Sequence, residues 1–234
     1  MAVEPDWTGV RVLLLADLLF RAAELRGLQV LTAVVFPGDP PADHGYAERS
    51  AGLLGIHPPG VRTSSAKASA MLGGLPDVHI ACPGNADDQL PGLVTIVGAI
   101  HMHETSSGEG ASPATESAPA AADPLAMRLA LMSHQSDRAV DLDERALTSA
   151  SDLATQWRDQ VAEWAESPSR PMPPRIRAAL DDAFDDLDTP AALQLLTSLA
   201  TEADVPDGAR FETFAFADRV LGLELAREVG RPRR

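Results

Sequence analysis

The chain is almost without lysine: Lys67 is the only one among its 234 residues, so nearly all positive charge is arginine. It has one cysteine, Cys82, which excludes an internal disulfide and fits a reducing compartment. Aromatic residues are scarce at 4%, so aliphatic side chains and alanine must supply most of the core. No long apolar run is present. Val12–Ala16 is interrupted by Asp17 and falls far short of the ~20 residues a membrane span requires. The N-terminus places Glu4 and Asp6 where a secretory signal would carry basic residues. Cation excess is missing too. The net charge is −15, and a field of that sign repels phosphate backbones, so autonomous nucleic-acid binding is not expected. These absences lead to the expectation of a soluble cytoplasmic protein without a membrane segment.

What is present is a two-part pattern. Residues Val10–Arg26 carry apolar side chains at helical spacing and stop at Gly27. Leu28–Phe36 is short, β-branched and apolar, bounded by Gly27 and Pro37-Gly38, and reads as a buried strand. Tyr46–Leu54 reads as a helix, Asp77–Cys82 as a strand, and Leu93–Met102 as a central strand apolar on both faces. Between Glu104 and Asp123 lies a run of Ser, Gly, Ala, Pro, Thr and Glu without a large apolar side chain, the composition of a linker. Beyond it the pattern is purely helical. Ala146, Ala150, Leu153, Trp157, Val161 and Trp164 make one apolar stripe, and Asp188-Thr189-Pro190 opens a later helix with an N-cap and a first-turn proline. The domains expected are 1–103 in α/β form, a 104–123 linker, and a 124–234 helical bundle.

Several segments, in order, resemble cysteinyl-tRNA synthetases and the related cysteine ligase of mycothiol synthesis. Arg11–Val30 (RVLLLADLLFRAAELRGLQV) resembles the helix that follows that family's HIGH motif. Leu53–Thr63 (LLGIHPPGVRT) resembles its L-G-x-x-P-P segment, and Leu75–Cys82 (LPDVHIAC) its P-G-W-H-I-E-C segment. Asp123–Leu147 resembles the start of its helical domain, which Asp185–Leu193 and Phe211–Leu225 continue. The resemblance implies a Rossmann-like class I remnant followed by an all-α bundle. It implies equally what has changed. Asp6-Trp7-Thr8-Gly9 stands where the nucleotide-gripping histidines belong, and Glu104–Ser112 holds no lysine where a mobile K-M-S-K-S loop would fall.

For metal, the candidates are Cys82, which matches a family zinc ligand, with His79, His101 and His103 on neighbouring strand-like segments. Zinc takes about four such ligands in tetrahedral array. The plainer reading makes Cys82 a small buried hydrophobe and the histidines a polar strand end. No residue is assigned a catalytic or cofactor-binding role. Paired carboxylates such as Asp181/Asp182 and Asp185/Asp186 read as a solvated face or as partners of helix dipoles. The expected protein is a degenerate ligase relative that acts by binding a protein partner, a second copy of itself or a cysteine-derived small molecule, with no cofactor. The alternative is an ATP-dependent cysteine ligase with a tRNA or amino-sugar acceptor, whose nucleotide site is non-standard or completed in trans; ATP or zinc enters only under that alternative.

Overall fold

Helix α1 (Trp7–Leu25) is buried without a gap from Trp7 to Leu18, so it is a central helix rather than a surface one. The computed structural model describes residues 7–35, 45–85, 92–102 and 123–231. After α1 come β1 (Ala33–Val35), α2 (Gly45–Leu53), β2 (Val61–Thr63), α3 (Ser65–Leu72), β3 (Val78–Ala81), β4 (Leu93–Ile96) and β5 (Ile100–Met102), of which α2, β3 and β5 pack on it. Then come α4 (Pro124–Met132), β6 (Val140–Leu142), α5 (Glu144–Trp164), α6 (Pro174–Asp185), α7 (Thr189–Ala200) and α8 (Asp207–Leu221). Helix α1 stops at Gly27, whose φ of 76° is the left-handed conformation that lets the Leu28 amide reach back to Ala23 O at 3.0 Å.

The described strands pair as β1–β2, β3–β4 and β5–β6, and every pair is parallel. Parallel neighbours need a crossover connection. Helix α2 lies between β1 and β2 in the chain, and α4 between β5 and β6. The result is a helix-rich chain with short parallel strand pairs, consistent with part of a class I synthetase-like α/β fold. No described helix is long and apolar enough to cross a membrane.

Three expectations are corrected. The strand expected over Leu28–Phe36 is ordered as β only at Ala33–Val35, and Phe36 lies outside the described residues. Pairing begins where Thr32 O accepts from the Val61 amide at 3.1 Å; before that point no strand among the described residues pairs with it, and Leu28 and Leu31 are exposed. The single central strand expected over Leu93–Met102 is two strands. Val97 N still donates to Ala81 O at 3.0 Å, but Gly98 N donates to Ser136 O at 2.8 Å, so the chain changes partners at that glycine. Leu93, 64% exposed, shows that β4 is not covered on both faces.

The third correction is β6, in a region expected to be purely helical. Its buried-exposed-buried pattern, Val140-Asp141-Leu142, is strand periodicity in miniature, and Asp143 immediately caps α5 by accepting from the Ala146 amide at 2.8 Å.

Of the expected linker 104–123, residues 104–122 lie outside the described residues. Strand β5 precedes that stretch and β6 follows it, and α1 packs on α8. One hydrophobic cluster runs from Trp7 to Leu225. The packing of the described residues crosses the sequence boundary. The stripe of α5 is spent in the same core: Trp157 and Trp164 meet Phe214 of α8 edge-on, with ring centroids 5.6 and 5.1 Å away. It offers no free face to a partner.

Gly98 gives a direct check of this arrangement. A Cβ there would sit inside the backbone carbonyl of Arg138, which no rotamer change can relieve. Gly98→Ala is expected to cost about 1–3 kcal/mol or more in denaturant unfolding, and to weaken amide protection in β5 and β6 first. A neutral effect would mean the close approach is wrong.

Candidate functional site

A single carboxylate in the middle of α1 organises the polar interior. Asp17 is buried, and such a group must be paired to stay charged. Its Oδ2 accepts from Arg128 Nη2 of α4 at 2.6 Å and from Arg21 Nε, one turn along α1, at 2.8 Å. Its Oδ1 accepts from the His57 amide at 3.0 Å and lies 2.7 Å from His57 Nδ1. Arg128 is 0% exposed and spends its remaining donors on carbonyls: Nε to Leu221 O at 2.6 Å and Nη1 to Leu54 O at 3.1 Å. Arg21 Nη2 donates to Gly55 O at 2.9 Å. One ion cluster thus ties α1, α4, the end of α2 and the end of α8.

Burial alone would raise the Asp17 pKa, but Arg128, the His57 amide and Arg21 outweigh it and hold the carboxyl below its ordinary value. Asp218, at the same end of α8, accepts from the amides of Leu223 at 2.7 Å and Leu225 at 2.9 Å. Burial wins there and its pKa is raised. The two therefore act oppositely on stability. Asp17, with a depressed folded pKa, contributes stability that is present above its unfolded value of about 3.8 and is lost as pH falls through the folded value. Asp218 contributes at low pH and loses that contribution as pH rises through its elevated folded value. The stability gap between the native chain and Asp17→Asn is expected to be large at pH 7 and to narrow below about pH 4. Urea titrations at both pH values measure it; a gap independent of pH would contradict the assignment.

Beside this cluster lies a cavity of about 240 Å³ between α1 and the segment 56–60, lined among others by Leu13, Phe20, Ile56, His57 and Pro58. His57 leans on the Phe20 ring, centroids 5.0 Å apart, and its side chain is 46% exposed.

The start of α1 is the second place of interest. Trp7, Thr8, Gly9 and Val10 are all buried. Thr8 Oγ1 accepts from the Ile100 amide at 3.2 Å. Arg11 is buried with no ion pair to a carboxylate among the described residues, and its guanidinium donates to Gly98 O at 3.0 Å, Arg138 O at 2.5 Å and Gln135 O at 2.6 Å. Burial, with Arg11 adding to it, pushes the His134 pKa down, towards the neutral imidazole. A third cluster joins Arg158 of α5 to Asp123, the cap of α4, with Arg227 at 3.1 Å from the same carboxylate. Arg158 Nη2 also donates to Leu223 O at 2.8 Å.

The proposed metal residues are placed as follows. Cys82 is 1% exposed within the hydrophobic cluster, just past β3. His79 is half-buried on β3 opposite Val94, and His101 is exposed on β5 opposite Asp141. His103 lies outside the described residues. Among the described residues no three His, Cys, Asp or Glu side chains converge as a metal-holding group. Cys82→Ala is expected to cost about 1–2 kcal/mol and to leave metal content unchanged. Elemental analysis of tag-free protein checks this; near-stoichiometric zinc that is lost in the variant would restore the ligand set.

Asp17, Arg128 and His57 are the residues that sequence reasoning did not single out. The signal was there for two of them. A charge inside an apolar run, as Asp17 in VLLLAD and Arg128 in LAMRLAL, must find a partner once the run is buried.

This architecture, a central buried helix with parallel strand pairs followed by helices, is consistent with part of a class I synthetase-like fold. Curated relatives sharpen the class. The chain is 35% identical over 107 residues to the L-cysteine:1D-myo-inositol 2-amino-2-deoxy-alpha-D-glucopyranoside ligase of Acidothermus cellulolyticus, covering 45% of this chain and 26% of that enzyme. It is 37% identical over 109 residues to the ligase of the same name from Saccharopolyspora erythraea, covering 44% and 25%. The Thermobifida fusca enzyme is 33% identical over 113 residues, covering 46% and 26%. Over that segment the chain is a relative of these cysteine ligases, in keeping with the resemblance in its sequence, and it spans about a quarter of their length. No protein-family profile matches the chain.

Proposed function

We propose that this is a cysteine-ligase-like protein that has retained a buried scaffold of the fold, lacks a self-sufficient nucleotide grip, and acts by binding. In this reading residues 1–103 are a Rossmann-like remnant and 124–234 a helical bundle, working in the cytoplasm without a bound cofactor. The observation that carries it is the closed start of α1. Phosphates bind helix N-termini through outward-facing amides and the positive end of the dipole. Here the first turn is buried, Thr8 is engaged by Ile100, and the nearest guanidinium, Arg11, is committed to three carbonyls.

The ligand is a protein partner or a cysteine-derived small molecule. A protein partner is supported by the exposed large apolar residues Leu28, Leu31, Leu53, Met71, Leu75, Leu93 and Ile96 of the α/β part; among the described residues Val229 is the one such residue outside it. The charge of −15 argues against nucleic acid as that partner. The same exposed residues favour a second reading, a cysteine ligase whose nucleotide site another subunit completes. Calorimetric titration of the isolated chain with magnesium-ATP tests the first. No saturable binding is expected up to millimolar nucleotide; a micromolar Kd would overturn it.

A further inference from the structure

Among the described residues, β4 is bonded to β3 on one side and to no strand on the other. Its phase is fixed at both ends: the Leu93 amide donates to Asp77 O at 2.8 Å and the Val97 amide to Ala81 O at 3.0 Å. Backbone groups alternate between the two edges of a strand, so Leu93, Thr95 and Val97 face β3. Val94 and Ile96 therefore turn their N–H and C=O groups to the outer edge. We propose that this edge takes up, as an added strand, an extended apolar segment of a partner protein that is flanked by Lys or Arg. The inference rests on the binding reading above and names the chemistry of its partner.

Three features set that choice. Edge strands are ordinarily guarded by charge, by proline or by a covering element; Leu93–Ile96 (LVTI) contains no charge and no proline. Both of its faces are open, since Leu93 is 64% and Ile96 43% exposed and the two side chains point to opposite sides of the strand. An added strand gives Val94 and Ile96 main-chain partners and covers those side chains, the mode by which sheet edges recognise extended peptides. The third feature is charge. No Lys or Arg stands between Lys67 and Arg128 in the sequence, a stretch with seven Asp and Glu, and Asp77 is beside the start of β4. A second copy of the chain would bring the same acidic stretch against it, whereas a basic segment is attracted.

Titration of the full-length 15N-labelled chain with the peptide acetyl-KRVTVTVRK-amide tests it, beside two controls. One is N-methylated throughout its VTVTV core, so it pairs on neither edge; the other carries Glu in place of every Lys and Arg. Saturable shifts and slowed hydrogen exchange at the Val94 and Ile96 amides are expected from the basic peptide. Both controls should bind about tenfold or more weakly, from the loss of two or more net hydrogen bonds or of the charge attraction. Ile96→Pro removes one outward N–H and no bond to β3, and is expected to weaken the basic peptide similarly while Val94 still reports. A methylated or acidic peptide that binds the native chain as tightly as the basic one, or no saturation by the basic one, overturns the proposal without recourse to the variant. So does a concentration-dependent dimer, seen by sedimentation, that protects the same two amides. Each of these results leaves the magnesium-ATP titration, on which the binding reading turns, as it was.

Discussion

Arg128→Met is expected to remove about 3–5 kcal/mol of folding stability, the cost of stranding a buried charge when its partner is deleted. Total stabilities of domains this size lie near 5–15 kcal/mol, so the variant should be partly unfolded at room temperature or melt far below the native chain. The loss has three sources in the structure. Asp17 keeps Arg21 and His57 but loses its shortest contact, and Leu221 O and Leu54 O lose buried donors. The coupling is specific. Asp17→Asn with Arg128→Met should cost less than the two single losses summed, by about 1–3 kcal/mol, because each single change leaves one fully buried member of the pair without the other and the double change leaves neither. Equilibrium urea unfolding of the four proteins measures the cycle. A loss below about 1 kcal/mol for Arg128→Met, or strict additivity, would contradict the central place given to Asp17.

How far the sequence foretells this structure depends on the range over which each element is decided. Helices α1, α5, α6, α7 and α8 are set by local periodicity and caps, and Asp143 and Asp188 cap as their chemistry suggests. Strands are decided by partners. Nothing local says that Leu28–Leu31 will lie without a neighbour, that the chain will change partners at Gly98, or that Val140–Leu142 will pair back across a stretch of linker composition.

The site divides the same way. Asp17 and Arg128 are 111 residues apart, and each announces only that it needs a counter-ion. His57, which orients on Asp17 over 40 residues, carries no local mark at all. The family resemblance placed the chain correctly among cysteine ligase relatives, because ordered short motifs survive where the strand register is not readable.

The measurement closest to the central claim is cysteine-dependent ATP–pyrophosphate exchange by the purified chain. Adenylate formation requires donors preorganised around the transferring phosphate, and loss of a single such donor typically lowers the rate by ~10²–10³. In this chain the first turn of α1 is buried, Arg11 is spent on carbonyls, and Lys67 is the one lysine available to any mobile loop. Exchange indistinguishable from a protein-free blank is the predicted result. Exchange well above that blank, abolished when cysteine is withheld, would contradict the binding reading and make the chain an active ligase on its own.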